Sequence, residues 1–189
     1  MKGFKEKRWK IGCIVMVIIL SILTANYVVI YKQNNEFKEE IINDMNSEWY
    51  QIYRLFDSID KYYIQDNFID PEKFFWYVNQ TCHHFAMTGR PYEIAWNMKD
   101  LLILVYDPLF KELSNEKNNQ NKEKAAELFK DMNDELLIIS RSIVEMEDYE
   151  IEKLLDTKSL EYIEVNTQVK NTVEKYKKLF DDYYKKHKE

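Results

Sequence analysis

The sequence predicts an all-α protein in which a single N-terminal transmembrane helix continues into an extracytoplasmic bundle of about four to six helices. An uncharged apolar run covers residues 11–31, directly after a basic stretch. In the rest of the chain, apolar residues recur every three or four positions, which is the spacing of one helix face. The 189 residues include only three Gly and three Pro, too few for the turns that a strand-rich fold needs.

Residues 11–31 have the length and composition of a membrane-spanning helix. The run has 21 residues and no charged side chain, and about 20 residues span a hydrocarbon core. Trp9 at one edge and Tyr27 and Tyr31 at the other are predicted membrane-interface anchors, because amphipathic rings favour the level of the lipid headgroups. We therefore expect residues 11–31 to contact the lipid bilayer.

The charges on the two sides of this run predict its orientation. Residues 1–10 carry five Lys or Arg and one Glu, whereas residues 32–189 carry 22 basic and 32 acidic side chains, a net charge of −10. Because positive flanks stay in the cytoplasm, residues 1–10 are predicted to be a cytoplasmic tail and residues 32–189 an extracytoplasmic domain of a single-pass cell-membrane protein. The acidic domain also argues against nucleic-acid binding, which needs a basic face.

Cleavage of the apolar run as a secretion signal is the alternative to an uncleaved signal-anchor. The best cleavage site lies near Ala25, and cleavage there would release a secreted helical protein. Leu23 is large for the position it would occupy, and the apolar run resumes after the site, so the uncleaved anchor is favoured. Cys13 opens the run instead of closing it, which excludes a lipoprotein signal. The charged residues after Phe4 exclude a pilin-like leader.

The chain is rich in Asn, Ile, Lys and Tyr. Codons for these residues are rich in A and T, which indicates the genome of a low-GC bacterium. This bias weakens any functional interpretation of the Asn- and Lys-rich runs. The polar stretch 114–124 (SNEKNNQNKEK) is accordingly predicted to be a flexible solvated loop.

Apolar spacing and helix-start residues predict the first two helices of the acidic domain. One helix is expected to continue from the membrane segment to about Tyr63, with residues 34–35 as its weak joint. Asp70 as N-cap and Pro71 as first helical residue begin the second helix, which runs to about Met87. The predicted core stripes are Ile41, Met45, Trp49, Ile52, Phe56, Ile59 and Tyr63, then Phe74, Phe75, Val78, Cys82 and Phe85.

The later helices follow from the same signals. Gly89 is expected to end the second helix in a left-handed conformation, and Pro91 to begin a third. Asp107 and Pro108 predict a kink or a new short helix, and Ser159 is a predicted N-cap of the last helix. The core positions are Ile94, Met98, Leu101, Leu102 and Val105, then Ala125, Phe129, Met132, Leu136, Ile139, Ile143 and Met146, and finally Val169, Val173, Tyr176, Phe180 and Tyr183. The last two sets have heptad spacing, which favours an intramolecular bundle core and leaves an intermolecular coiled coil as the alternative.

Cys82, His83 and His84 are the residues that most resemble a metal or thiol site. Adjacent helical residues point about 100° apart, so these three do not converge on one ion. Cys82 falls on the apolar stripe and is predicted to pack inward, while the two histidines lie near a helix C-terminus and are predicted to be structural. A metal site and a reactive thiol remain the alternatives, and a further role of His83 and His84 stays open.

No catalytic motif accompanies these residues. The sequence contains no HExxH, GxSxG or P-loop pattern. Residues 66–70 (DNFID) lack the turn glycine and the final glutamate of a calcium loop. The sequence therefore predicts no enzyme, no catalytic, cofactor-binding or metal-binding residues, and no cofactor.

Aromatic residues are concentrated between Trp49 and Trp96, and most are expected to fill the core. Tyr50, Trp76 and Tyr77 lie off the apolar stripes and are candidate partner contacts. The predicted function is non-enzymatic protein–protein interaction or scaffolding with a protein partner or a second copy of the chain. The alternative is a sensory module that binds an unknown small molecule and signals through a membrane partner; it resembles, in topology only, the helical-bundle ectodomains of bacterial receptors.

Overall fold

The computed structural model describes residues 2–64, 72–113 and 122–187, and these ranges are almost entirely helical. The helices are α1 (Lys2–Ile59), α2 (Glu72–Thr88), α3 (Tyr92–Leu101), α4 (Asp107–Leu113), α5 (Lys122–Val144), α6 (Asp148–Lys153) and α7 (Leu160–His187). A turn of π-helix follows α1 over Asp60–Ile64, and another joins α3 to α4 over Leu102–Tyr106. No strand occurs in the described ranges, so the all-α prediction is confirmed. The predicted helix start at Asp70 and Pro71, residues 66–70 as a whole and most of the predicted loop 114–124 lie outside these ranges.

The described chain divides into two compact units, the first ending at Ile41 and the second beginning at Ile42. The first unit contains one helical stretch that is long and apolar enough to cross a membrane. Its large apolar side chains are exposed, with about half or more of their surface accessible. Asn34 and Asn35, the predicted weak joint, are helical like their neighbours.

The second unit is built around one hydrophobic core. The predicted α1 stripe is buried from Met45 to Tyr63, and the heptad positions of α5 are buried from Ala125 to Ile143. α3 packs on α2 and α7, and α5 packs on α4 and α7. The periodic apolar residues of these helices therefore face residues of the same chain, as the intramolecular interpretation expects. Phe75 differs from its prediction, because 37% of it is exposed and Lys111 Nζ lies 4.9 Å from its ring centroid.

Aromatic rings fill much of this core with edge-to-face and tilted contacts. Trp49 packs against Phe85 with ring centroids 4.8 Å apart, and its Nε1–H donates a hydrogen bond to the Arg90 carbonyl at 2.5 Å. Further contacts join Tyr63 to Phe74 and Phe110, Phe56 to Tyr106, and Phe129 to Tyr106 and Phe110. The contacts between Trp49, Phe85 and Arg90 fix α1 against α2 and the turn that follows it.

A buried hydrogen-bond network crosses the core. The Tyr106 hydroxyl donates to Asn133 Oδ1 at 2.6 Å, and Asn133 Nδ2 donates to the Phe56 carbonyl at 3.1 Å. Asn133 and Tyr106 are both fully buried. Phe56 lies one turn before α1 changes from α-helix to π-helix, where the regular backbone pattern shifts. The Asn133 amide therefore supplies a donor to α1 at this transition.

The prediction of a new short helix at Asp107 and Pro108 is confirmed, since α4 begins at Asp107 directly after the second π-turn. Pro108 has no N–H for the carbonyl of Leu104, so the regular α-helical pattern cannot continue through it. The wider π-turn accommodates this interruption without ending the helical path.

The predicted left-handed conformation of Gly89 is wrong, because no glycine in the described ranges has a positive φ. A Cβ at this position would lie 2.6 Å from the Phe85 carbonyl oxygen and 2.8 Å from Ala95 Cβ. The Gly89 N–H also donates to the Phe85 carbonyl at 2.8 Å. Glycine is thus needed here for the close approach of α2 and α3. The following Arg90–Pro91 peptide bond is cis.

The predicted cap of the last helix is confirmed. Ser159 Oγ accepts a hydrogen bond from the Tyr162 backbone N–H at 3.0 Å, three residues into the turn. The Ser159 hydroxyl also donates to the Lys153 carbonyl at 2.6 Å. Ser159 therefore ties the start of α7 to the end of α6.

Candidate interaction surface

The region around Cys82 has the geometry of a helix end packed on the core. Cys82 is fully buried, as predicted, while His83 and His84 are exposed. Burial raises the pKa of the Cys82 thiol, and the nearby Asp107 carboxylate raises it further, so the reactive thiolate is disfavoured. In the described part of the chain, no group of three or more His, Cys, Asp or Glu side chains is arranged to hold a metal ion.

Asp107, which the sequence predicted only as a helix start, is a buried carboxylate. Only 3% of the residue is exposed. Its Oδ2 accepts hydrogen bonds from Asn79 Nδ2 at 3.1 Å and from Lys111 Nζ at 2.7 Å, whereas its Oδ1 has no hydrogen-bond partner among the described residues. The Lys111 ammonium compensates the buried charge, and the Asn79 contact joins α2 to α4.

A cluster of aromatic and cationic side chains in the second unit lies on the outward face of α1. Its members are Tyr50, Tyr53 and Arg54 from α1, Tyr77 from α2 and Arg141 from α5, which we call the Tyr/Arg surface. Tyr50 is 48% exposed, and Tyr53 and Tyr77 are half-buried at the edge of the core. Two of the predicted partner contacts, Tyr50 and Tyr77, thus lie in one surface.

Ring contacts connect Tyr50, Tyr53 and the two arginines of the Tyr/Arg surface, and Tyr77 belongs to it through its electrostatic interaction with Arg54. Arg54 Cζ lies 6.0 Å from the centroid of the Tyr50 ring, and the Tyr50 and Tyr53 centroids are 6.3 Å apart. Arg141 Cζ lies 6.0 Å from the centroid of the Tyr53 ring. These distances are at the outer range of cation–π attraction, so each contact is weak by itself. Together they place two guanidinium groups beside adjacent tyrosine rings.

Helix geometry explains why the α1 residues of this surface face outward. Tyr53 and Arg54 follow Tyr50 at spacings of three and four residues, which puts all three on one side of the helix. Trp49 and Ile52 are fully buried and hold the opposite side of α1 against the core. The rotation of α1 is therefore fixed by its buried stripe.

The electrostatics of the surface are set by its tyrosines and two arginines. The pKa of Arg54 is raised, first by its interaction with the Tyr50 hydroxyl and then to a lesser degree by Tyr77 and Asp57. Asp57 is itself paired with Lys61 Nζ at 2.8 Å. Within the described ranges, no carboxylate lies within 4.0 Å of the Arg54 or Arg141 guanidinium, the limit for an ion pair.

The third predicted partner contact, Trp76, stands apart. It is 71% exposed, and no ring contact recorded for the described residues joins it to the Tyr/Arg surface. Tyr92 and Trp96, which were expected to fill the core, are 59% and 47% exposed, so that prediction is wrong. Their rings stack at 5.7 Å, and Lys99 Nζ lies 4.0 Å from the Trp96 centroid.

A shallow cavity lies between α5 and α7. Its volume is about 190 Å³, and it is lined by Glu135, Ile138, Gln168, Asn171 and Thr172. Sites for small ligands commonly measure about 300–1,000 Å³ and are mainly apolar. This cavity is smaller than such sites.

The sequence analysis named Tyr50 and Tyr77 as candidate contacts but did not name their neighbours Tyr53, Arg54 and Arg141. The spacing of Arg54 four residues after the exposed Tyr50 is a signal that could have identified it. Nothing in the sequence connects Arg141 with α1, because their contact depends on the packing of α5.

No protein-family model matches this chain, and no curated protein or solved structure is significantly similar to it.

Proposed function

We propose that this chain is a single-pass membrane protein whose extracytoplasmic helical bundle binds another protein through the Tyr/Arg surface. The observation that carries the proposal is the gathering of one exposed tyrosine, two half-buried tyrosines and two exposed arginines from three helices. Tyr and Arg are enriched where protein interfaces concentrate their binding energy. Tyrosine offers a large amphipathic contact area with few rotatable bonds, and arginine offers a planar set of donors.

The membrane attachment in this proposal is supported by composition and exposure. The apolar side chains of residues 11–31 are exposed, which suits contact with lipid. Trp9, Tyr27 and Tyr31 are 75%, 69% and 58% exposed at the two edges of the run and are proposed to sit at the membrane interfaces. The basic residues before the run favour a cytoplasmic N-terminus, and the acidic domain after it is proposed to be outside.

The proposed role is non-enzymatic. The surface offers contact area and charge, and its residues come from helices held by an apolar core instead of from mobile loops. A rigid display of this kind favours binding, because little side-chain or backbone freedom is lost on association. The chain is therefore proposed to act as an anchored interaction or scaffold protein.

Photocrosslinking in intact cells tests the binding function. A photoreactive phenylalanine analogue replaces Tyr50 or Tyr77 in the full-length chain, and in a control it replaces Tyr149, which is 61% exposed on α6, outside the Tyr/Arg surface. We expect the same discrete crosslinked product from Tyr50 and Tyr77 and none from Tyr149. No product at either surface position, or equal products at all three, would overturn the proposal.

The membrane attachment and orientation have a separate test. A reporter enzyme that is active only outside the cytoplasm is fused after Glu189, and the mass of the mature chain is measured. We expect an active reporter and an intact chain that includes residues 1–31. An inactive reporter would contradict the orientation, and a mature chain that begins near Asn26 would contradict the uncleaved anchor.

A further inference from the structure

We propose that Glu48 makes the junction between α1 and the α2–α3 turn a pH-sensitive switch, which is more stable when this carboxyl group is protonated and opens more readily when it is ionised. The proposal concerns local regulation and does not depend on the binding role of the Tyr/Arg surface. It starts from the position of Glu48 on α1, directly before the fully buried Trp49.

Two successive residues of α1 contact the same residue of the turn. The Trp49 Nε1–H donates a hydrogen bond to the Arg90 carbonyl at 2.5 Å, and the Trp49 ring packs on Phe85. The Glu48 carboxyl group interacts with the Arg90 backbone N–H. Opening of this junction would therefore move Glu48 and the indole of Trp49 away from the turn together.

One oxygen of the Glu48 carboxyl group is enclosed by protein. The residue as a whole is half-buried, but its Oε2 is buried and has no hydrogen-bond partner among the described residues. An ionised carboxylate loses its hydration at such a position without gaining a donor for this oxygen, and that cost is larger for the charged group than for the neutral one. The closed junction therefore favours the protonated form.

Three neighbouring groups modify this cost. They are Asp44 on α1, His84 on α2 and Arg90 in the turn. The Arg90 guanidinium favours ionised Glu48, but it also lies 3.6 Å from Asp44 Oδ2 and its side chain is 42% exposed, so water weakens its effect. Loss of hydration on burial is accordingly the largest influence and raises the pKa of Glu48, while Arg90 lowers it, Asp44 raises it and His84 lowers it, each to a smaller extent.

Proton linkage gives the direction of the switch. Opening of the junction returns Glu48 to water and to its ordinary pKa of about 4.5, so the closed junction binds the proton more tightly than the open one. This stabilisation is complete below about pH 4.5 and is lost as pH rises through the higher pKa of the closed form. The opening equilibrium should therefore rise with pH, about tenfold for each pH unit that separates the two pKa values.

Hydrogen exchange of the full chain in detergent tests the proposal. It is measured by mass spectrometry from about pH 4 to about pH 8 and corrected for the intrinsic pH dependence of amide exchange. We expect peptides covering residues 44–52 and 85–92 to lose protection as pH rises, and peptides of α5 to stay better protected than these at neutral pH. E48Q, which is neutral at every pH, should keep the protection of the acid form throughout. The matched control E164Q neutralises an exposed glutamate of α7 and should keep the profile of the parent.

Three more variants identify the titrating group. R90Q removes the cation that favours ionised Glu48, so the midpoint of the transition should move to higher pH. D44N removes a neighbouring anion, so the midpoint should move to lower pH. H84Q should keep the transition, because His84 has only a small influence on the Glu48 carboxyl group.

Protection of the junction that is independent of pH, or that increases with pH, would overturn the proposal. The same conclusion would follow from an E48Q profile identical to that of the parent, or from loss of the transition in H84Q, which would make His84 the titrating group. Equal protection of the junction and α5 at neutral pH would show that the junction opens only when the whole domain unfolds, and would also overturn it.

Discussion

Replacement of Asn133 by Leu tests how far the buried network holds α1, α5 and the second π-turn together. Leu has the same branched skeleton as Asn with larger terminal methyl groups, so the change removes hydrogen bonds without opening a cavity. The Tyr106 hydroxyl would lose its acceptor at 2.6 Å, and the Phe56 carbonyl would lose its donor at 3.1 Å. Burial raises the pKa of Tyr106 well above its ordinary value, so the phenol stays protonated and still needs an acceptor.

The expected cost follows from the number of groups left unpaired. The Tyr106 hydroxyl left without an acceptor costs about 1–3 kcal/mol, and the lost hydrogen bond to the Phe56 carbonyl adds about 0.5–1.5 kcal/mol, before the gain from burying Leu. Y106F leaves only Asn133 Oδ1 unpaired and should cost about 1–3 kcal/mol. In the double variant Y106F/N133L no hydroxyl remains to be satisfied, so we expect it to cost less than the sum of the single changes by about 0.5–3 kcal/mol.

Equilibrium urea unfolding of the full chain in detergent measures these differences, with tryptophan fluorescence as the signal and equal m-values as the check on two-state behaviour. The matched control is N171L, the same chemical change at an exposed position of α7, expected to lie within about 0.5 kcal/mol of the parent. A cost of N133L no larger than that of N171L would refute the reasoning. So would strict additivity of Y106F and N133L.

Three further predictions concern single residues of the second unit. We expect G89A to lose about 1–3 kcal/mol of unfolding free energy, because its Cβ would contact the Phe85 carbonyl oxygen, and G89N to lose at least as much. Asparagine is tolerated at left-handed positions, so a G89N variant as stable as the parent would contradict the steric explanation. Burial raises the pKa of Glu48, so the folded state holds this proton more tightly than the unfolded state, and the free energy of unfolding should fall as pH rises above about 4.5. In urea unfolding, E48Q should remove that fall and be more stable than the parent at pH 7, and identical pH profiles of the two proteins would contradict this explanation. In a C13S background, Cys82 should react with a maleimide only after denaturation, as measured by mass spectrometry. Full labelling of the folded chain would contradict the burial of Cys82.

Apolar periodicity predicted the helical core well, because burial of a helix stripe is imposed by local spacing. Met45 to Tyr63 on α1 and Ala125 to Ile143 on α5 are buried as their positions indicate. Ser159 was also predictable, because an N-cap hydrogen bond joins residues only three positions apart.

The remaining features depend on tertiary packing or on a choice between two local explanations. A glycine after a helix indicates either a left-handed cap or a close approach of two elements, and only the neighbours of Gly89 distinguish them. Tyr92 and Trp96 lie off the predicted α3 stripe of Ile94 and Met98, but the general expectation that aromatics fill the core placed them inside, and the structure shows them exposed. The candidate surface was found only in part, because Arg141 reaches it from a distant helix.

The burial of Trp49 gives the chain an internal optical reporter. Of the four tryptophans, Trp49 is fully buried, whereas Trp9, Trp76 and Trp96 are 75%, 71% and 47% exposed. Acrylamide or iodide can therefore quench the three exposed indoles selectively and leave the emission of Trp49. Because the indole of Trp49 donates to the Arg90 carbonyl and packs on Phe85, that residual signal follows the junction of α1 with α2 in the unmodified protein.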